Sequence, residues 1–192
     1  MPVALMAQEN KTYTVKVSSV PTDIASFEKF RNENAKTPEG GYITMLFALK
    51  MYKENPDEGI KAIIVAVDSK NLSAGSGPKS YKGFVLDNSA TYLLGQVERY
   101  PYMFDSYFPG ATRENGYTPS NPPYTFTLTS NRFSGDIESG EIKLFLKSSG
   151  ADMPRPTLMR KAANGFWKAH MFSSLFTGVA PPAAKAEDSN EL

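Results

Sequence analysis

The stretch that decides the fold is 157–173, TLMRKAANGFWKAHMFS. Asn164-Gly165 is the strongest short hairpin signal that a sequence offers, because both residues tolerate the left-handed backbone of a tight turn. The sequence therefore predicts two antiparallel strands, 157–163 and 166–173, joined at this turn. Alternation along the second strand divides its side chains between two faces. One face is expected to carry Trp167, Ala169 and Met171, and the other Phe166, Lys168, His170 and Phe172.

Three more segments have the alternation of a half-buried strand. Residues 124–130 alternate aromatic residues and Leu with Thr, and 141–147 places Ile142, Leu144 and Leu146 on one face. Near the N-terminus, 12–20 alternates Tyr and Val with Thr and Lys, and a proline follows it. The last third of the chain thus reads as an antiparallel meander.

The middle of the chain reads as helical. Thr37 is the expected N-cap of a mostly buried helix that runs to Tyr52, with Pro38 in the first helical position. Asn55 and Pro56 repeat this pattern for a second helix, and Glu58 is expected to complete a capping box. The apolar spacing that follows favours a helix over a strand for 60–67.

The remaining segments are shorter. Thr22 or Asp23 is expected to cap a short helix, and Asn88 a later helix whose apolar residues are Tyr92, Leu93, Val97 and Tyr100. We expect a loop over 70–80 and a short strand within 81–86. Residues 101–123 read as irregular, and such a long stretch is often functional.

Together these segments predict the α+β class. An N-terminal strand and several helices would pack on a C-terminal antiparallel β-meander. One domain over 12–180 is expected, between a flexible N-terminus, 1–11, and a C-terminal tail, 181–192.

Composition limits the chemistry and the compartment. The 192 residues include one His and no Cys, which excludes thiolate and multi-His metal sites, so no metal and no cofactor are expected. The N-terminal apolar segment is too short for a signal peptide, and the longest apolar run, 62–67, is far too short to cross a membrane. We therefore expect a cytoplasmic, soluble protein of bacterial style.

The C-terminal third also carries a resemblance. Residues 147–176 contain SSGAD, then PRP, NG with a following Trp, and a closing FSSL. This run resembles the C-terminal end of a family of uncharacterised bacterial proteins with no settled activity. The order of elements is similar to the cystatin-like cone of the nuclear-transport-factor-2-like superfamily, although here a strand precedes the first helix.

The run Asp152-Met153-Pro154-Arg155-Pro156 is the most unusual one in the chain. Arg155 lies between two prolines, so its direction is preset, which suits recognition of a carboxylate or phosphate. The simpler interpretation is a rigid turn in which Arg155 pairs with Asp152.

His170 could act as a general base, but a half-buried, hydrogen-bonded histidine is the preferred interpretation. Basic residues on three successive strands could form a nucleic-acid-binding sheet around Phe145, and a net charge of +1 instead favours an ordinary solvated face. These basic residues are Lys143, Lys147, Arg160, Lys161 and Lys168.

The segment 100–108 is rich in aromatic residues. Phe104 and Phe108 are expected in the core, while Tyr102 and Tyr107 could lie in the core or bind a partner.

The leading hypothesis is a non-enzymatic module that binds another protein or assembles with itself, such as an immunity, adaptor or structural component. The alternative is a ligand-binding or catalytic domain that uses the concave face of the sheet. The candidate ligand- or partner-binding residues are Tyr102, Tyr107, Asp152, Arg155, Arg160 and His170.

Overall fold

The computed structural model describes residues 10–184. The terminal segments expected to be flexible therefore lie mostly outside the described residues. The helices are α1 (Ile24–Asn34), α2 (Pro38–Glu54), α3 (Pro56–Ala66), α4 (Asn88–Arg99) and α5 (Tyr102–Asp105), with short 3-10 helices at Ser69–Asn71 and Ser173–Phe176. The strands are β1 (Lys11–Val17), β2 (Leu72–Ala74), β3 (Phe84–Leu86), β4 (Tyr124–Ser130), β5 (Gly135–Asp136), β6 (Glu141–Leu146), β7 (Arg155–Lys161) and β8 (Trp167–Met171).

The main sheet has the strand order β1-β4-β6-β7-β8, with the short β5 pairing with β6. All of these strand pairs are antiparallel, and β1 pairs with β4 along its whole length, from Lys11 opposite Ser130 to Val17 opposite Tyr124. The predicted α+β class is confirmed: an N-terminal strand and several helices precede an antiparallel sheet against which the helices pack.

Helix α2 forms the centre of the core. It begins as predicted, with Thr37 as N-cap and Pro38 in the first turn, and the Thr37 Oγ1 accepts the Gly40 N–H at 3.2 Å. Most of its side chains are buried because it lies between the sheet and the helices α1 and α3. Phe47 contacts aromatic rings from both layers, including Phe30 at 4.9 Å and Phe126 at 6.0 Å between ring centroids.

Two helix starts differ from expectation in detail. Asn55 caps α3, but the Glu58 carboxylate does not complete a capping box; it accepts the Ile24 N–H of α1 at 2.6 Å and binds the Lys61 ammonium at 2.6 Å. A contact between helices has replaced a contact within one helix. At α4 the cap is Asp87 rather than Asn88, because the Asp87 carboxylate accepts the N–H of the third residue after it.

Of the apolar residues named for α4, Val97 is buried and Leu93 packs against the core. The buried residues are Ala90, Leu94 and Val97, whereas Tyr92 is 73% exposed and Tyr100, just beyond the helix, is 38% exposed. The predicted 70–80 loop includes β2, which forms a small two-stranded sheet with β3. The predicted irregular segment 101–123 contains the one-turn helix α5.

Helices cover one face of the main sheet and leave the other face open. On β4 the buried residues alternate with exposed threonines, and on β6 Ile142, Leu144 and Leu146 are buried while Lys143 is exposed. Among residues 10–184, no helix combines the length and the apolar character that crossing a bilayer requires.

Candidate functional site

A β-bulge lies at His170. Leu158 of β7 pairs with Met171 of β8, but the next β7 residue, Met159, pairs with Ala169, so that His170 is an extra residue in β8. A bulge of this kind reverses the alternation of side chains beyond it. The expectation that Met171 shares the face of Trp167 and Ala169 is therefore wrong.

Burial reports the same reversal. Trp167 and Ala169 are buried, whereas Met171 is 62% exposed on the open face of the sheet. Phe172, expected on the face opposite Trp167, is buried with it. The bulge thus moves one large apolar side chain out of the core and brings another in.

Four charged or titratable side chains meet beside the bulge, and we call them the edge cluster: Asp68, Glu141, Arg160 and His170. The His170 Nδ1 lies 3.2 Å from the Asp68 Oδ1 and 3.4 Å from the Arg160 Nη1. The Arg160 Nε and Nη2 donate to the Glu141 Oε2 at 2.9 and 2.6 Å. Sequence reasoning identified Arg160 and His170 separately, and the fold brings them into contact.

Asp68 is placed by the end of α3. Its neighbour Val67 forms a parallel bridge with Ala169, and the Asp68 N–H donates to the Ala169 carbonyl at 2.8 Å. The carboxylate also accepts the Lys70 N–H at 3.1 Å and is only 6% exposed. A buried carboxylate needs such partners, and the edge cluster supplies them.

Sequence reasoning missed Asp68 and Glu141. Glu141 could have been found from the strand register, because it lies directly opposite Arg160 on the neighbouring strand. Asp68 follows a helix and meets β8 only through the tertiary fold, so no local pattern points to it. The cluster is an ion-pair network that ties β6, β7 and β8 to the end of α3.

Two of the other candidate residues also come close, because the Arg155 guanidinium acts on the Tyr107 hydroxyl and opposes the rise of its pKa. Arg155 donates through its Nη2 to the Gly178 carbonyl at 2.6 Å. Its side chain therefore does not form the expected ion pair with Asp152, which is exposed. Tyr107 is buried, donates to the Leu175 carbonyl at 3.1 Å, and has a raised pKa because burial disfavours the phenolate. Tyr102 is half-buried.

Phe104, Tyr107 and Phe108 of the aromatic segment are consequently part of the core. Phe104 and Phe108 are buried as expected, and Tyr102 stacks on Tyr117 with 5.8 Å between ring centroids. Tyr107 has no exposed surface of consequence, so it is not available to a partner in this fold.

The basic set divides into two groups. Lys143 and Lys147 are exposed, and Lys143 lies on the open face of the sheet. Lys168 instead turns toward α3, where its ammonium donates to the Val65 carbonyl at 2.7 Å. By strand register Lys143 and Lys168 nevertheless lie on the same face of the sheet, because their partners on β7, Leu158 and Arg160, are two residues apart.

A groove crosses the open face of the sheet, and we call it the sheet groove. It has a volume of about 500 Å³. Its walls come from three strands and from the loops beside them: Phe133, Lys143, Pro156, Leu158, Met171 and Ser173. Phe133 and Met171 are 76% and 62% exposed, so the groove presents large apolar side chains to solvent.

The fold and these surfaces define an α+β domain whose sheet is covered by helices on one face and open on the other. The chain belongs to the family described as Domain of unknown function (DUF6935), whose model matches residues 19–183. No curated protein and no solved structure matches the chain. The likeness to the cystatin-like cone accordingly stays a prediction.

Proposed function

We propose that this protein is a non-enzymatic protein-interaction module and that the sheet groove receives its partner. One observation carries the proposal: Phe133 and Met171 are 76% and 62% exposed at the same groove. Large apolar side chains that cluster on an exposed surface mark interaction sites, because water contact with them is unfavourable.

The composition of the groove supports a protein partner. Pro156 and Leu158 are half-buried in its floor, while Glu141, Lys143 and Ser173 lie around it. An apolar centre with a polar rim is the usual anatomy of a protein interface. A partner that inserts one apolar side chain between Phe133 and Met171 would cover both and keep the rim hydrated.

The alternative, a ligand pocket on the other face of the sheet, has less support. That face is filled by core side chains: Leu144, Thr157, Met159 and Ala169 are each 0% exposed beneath the helices. A ligand there would have to displace the core, whereas the sheet groove is open.

The test compares groove variants with a matched control. Met171→Asp and Phe133→Ser remove the apolar contacts, and Tyr92→Ser removes an equally exposed aromatic side chain on α4. Each tagged variant is purified from its native host, and the proteins that accompany it are quantified by mass spectrometry. We expect a stoichiometric partner that both groove variants lose and Tyr92→Ser retains.

Self-assembly is measured on the same proteins by sedimentation. If the partner is a second copy, the wild type sediments as an oligomer and the groove variants as monomers. A partner or an oligomer that persists in both folded groove variants would contradict the proposal, as would equal loss in Tyr92→Ser.

A further inference from the structure

A second groove lies at the β8 edge of the sheet, and we call it the basic groove. It runs between the end of α3, the strands β2 and β3, and the β7–β8 turn, and has a volume of about 590 Å³. Small-molecule sites typically have volumes of about 300–1,000 Å³. The residues that give it its chemical character are Asp68, Lys70, Phe84, Arg160, Lys161 and Lys168.

We propose that the basic groove binds a small organic anion, namely a carboxylate, sulfonate or phosphate that carries a flat apolar body. This inference is independent of the protein-interaction proposal, because it uses a different surface.

The charges of the groove favour an anion. Among the described residues that line it, four are cationic, and Asp68 is the single carboxylate. Asp68 is already engaged by His170 and Arg160, and Arg160 is also paired with Glu141. Three lysines are left without a carboxylate within 4.0 Å in the described part of the chain: Lys70, Lys161 and Lys168.

Lys168 is the best-placed cation of the three. Its ammonium is held in the groove wall by the Val65 carbonyl at 2.7 Å, which leaves two of its three donors for a ligand. A fixed, partly desolvated ammonium interacts more strongly with an anion than a freely moving surface lysine does. Lys70 and Lys161 are exposed at the rim and would add attraction at longer range.

The basic groove also has an apolar wall, which the flat body of the ligand would cover. Phe84 is 46% exposed, although it belongs to a strand, and Leu72 beside it is half-buried. A ring with one free face can stack on a flat ligand, and covering it removes apolar surface from water. The groove therefore offers an ammonium and an aromatic face to the same molecule.

Lys168 also makes the proposed binding depend on pH. The charged groups around it are Arg31 on α1, Asp68 after α3, and Arg160, which lies opposite it on β7. Burial and then the nearby Arg31 guanidinium lower the pKa of Lys168 to about 8, although Asp68 opposes the shift. A bound anion favours the ammonium, so binding should take up a proton and weaken as the pH rises above about 8.

The probe is naphthalene-2-sulfonate, whose charge stays constant over this pH range, and the neutral comparison is naphthalene-2-methanol. Isothermal titration should show tighter binding of the sulfonate near pH 7 than near pH 9.5, by about tenfold. Lys168→Arg keeps a positive charge at both pH values, so we expect it to retain binding and to lose this pH dependence. Phe84→Ala should weaken binding about tenfold, and Lys147→Ala, an exposed lysine outside the groove, should have no effect.

Three results would overturn the proposal. The first is equal affinity for the sulfonate and the neutral alcohol. The second is an unchanged pH profile in folded Lys168→Arg. The third is unchanged affinity in Phe84→Ala, which tests the location even if the Lys168 variant does not fold.

Discussion

The sharpest test of the helix packing is the substitution Gly59→Ala. Gly59 lies in the first part of α3, where that helix crosses the last turns of α2. A Cβ atom at Gly59 would lie 2.0 Å from the Tyr52 Cα and 2.2 Å from the Tyr52 backbone N. Ordinary contact begins near 3.4 Å, so the two helix backbones would have to separate by about 1.4 Å. A rotamer change cannot relieve this overlap, because both Tyr52 atoms are backbone atoms.

The magnitude follows from two opposing effects. Alanine is favoured over glycine within a helix by about 1 kcal/mol. Overpacking a core costs about 1–3 kcal/mol, and backbone separation places this site at the upper end. The free energy of unfolding should therefore fall by about 2 kcal/mol, and the Tm by about 4–8 °C for a chain of this size.

Urea unfolding followed by circular dichroism measures the change, and Gly95→Ala is the matched control. Gly95 lies within α4, and a Cβ there would meet nothing within 4 Å. The same substitution should stabilise the protein by up to about 1 kcal/mol at that position. The packing argument is refuted if Gly59→Ala is as stable as the wild type, or if both variants change stability in the same direction.

Three further changes test the core, the edge cluster and the helix contact. Trp167→Ala should cost about 3–5 kcal/mol in urea unfolding, because the side chain is 2% exposed, and a loss under about 1 kcal/mol would contradict its burial. Asp68→Asn should cost about 1–3 kcal/mol and shift the NMR resonances of the His170 ring, whereas an unmoved ring would mean that their 3.2 Å contact does not exist in solution. The Lys61 ammonium and the Ile24 N–H hold the pKa of Glu58 below its usual value. The stabilisation that Glu58 contributes is therefore present near neutrality and is lost as the pH falls through its folded pKa. Glu58→Gln should make the free energy of unfolding less dependent on pH in the acid range, and an unchanged dependence would count against the contact.

Several elements could be predicted because their signals are local. Thr37 and Pro38 define the start of α2 through the backbone geometry of two adjacent residues. The turn at Asn164-Gly165 is equally local: Gly165 has a φ of +85°, and an antiparallel hairpin forms around it with Lys161 opposite Trp167. Alternation was sufficient for β4 because one of its faces is buried along its whole length.

The errors share a different cause. Glu58 had a local partner available and instead bonds to Ile24, which is 34 residues away in sequence. The side chains of β8 alternate only up to the bulge, so Met171 lies on the face opposite to the expected one. The bulge at His170 depends on the pairing of β8 with both β7 and the end of α3. Periodicity cannot reveal such competition between distant segments, because a one-residue shift leaves the composition of the strand unchanged.

The candidate site shows the same division. The sequence by itself determined the α+β class and most of the helices and strands, and it identified Arg160 and His170 as candidate site residues. Only the tertiary structure placed Asp68 and Glu141 beside them, turned Met171 to the open face, and moved Lys168 to the wall of the basic groove. Local propensities act over a few residues, whereas contacts across strands and between layers exist only once the chain has closed on itself.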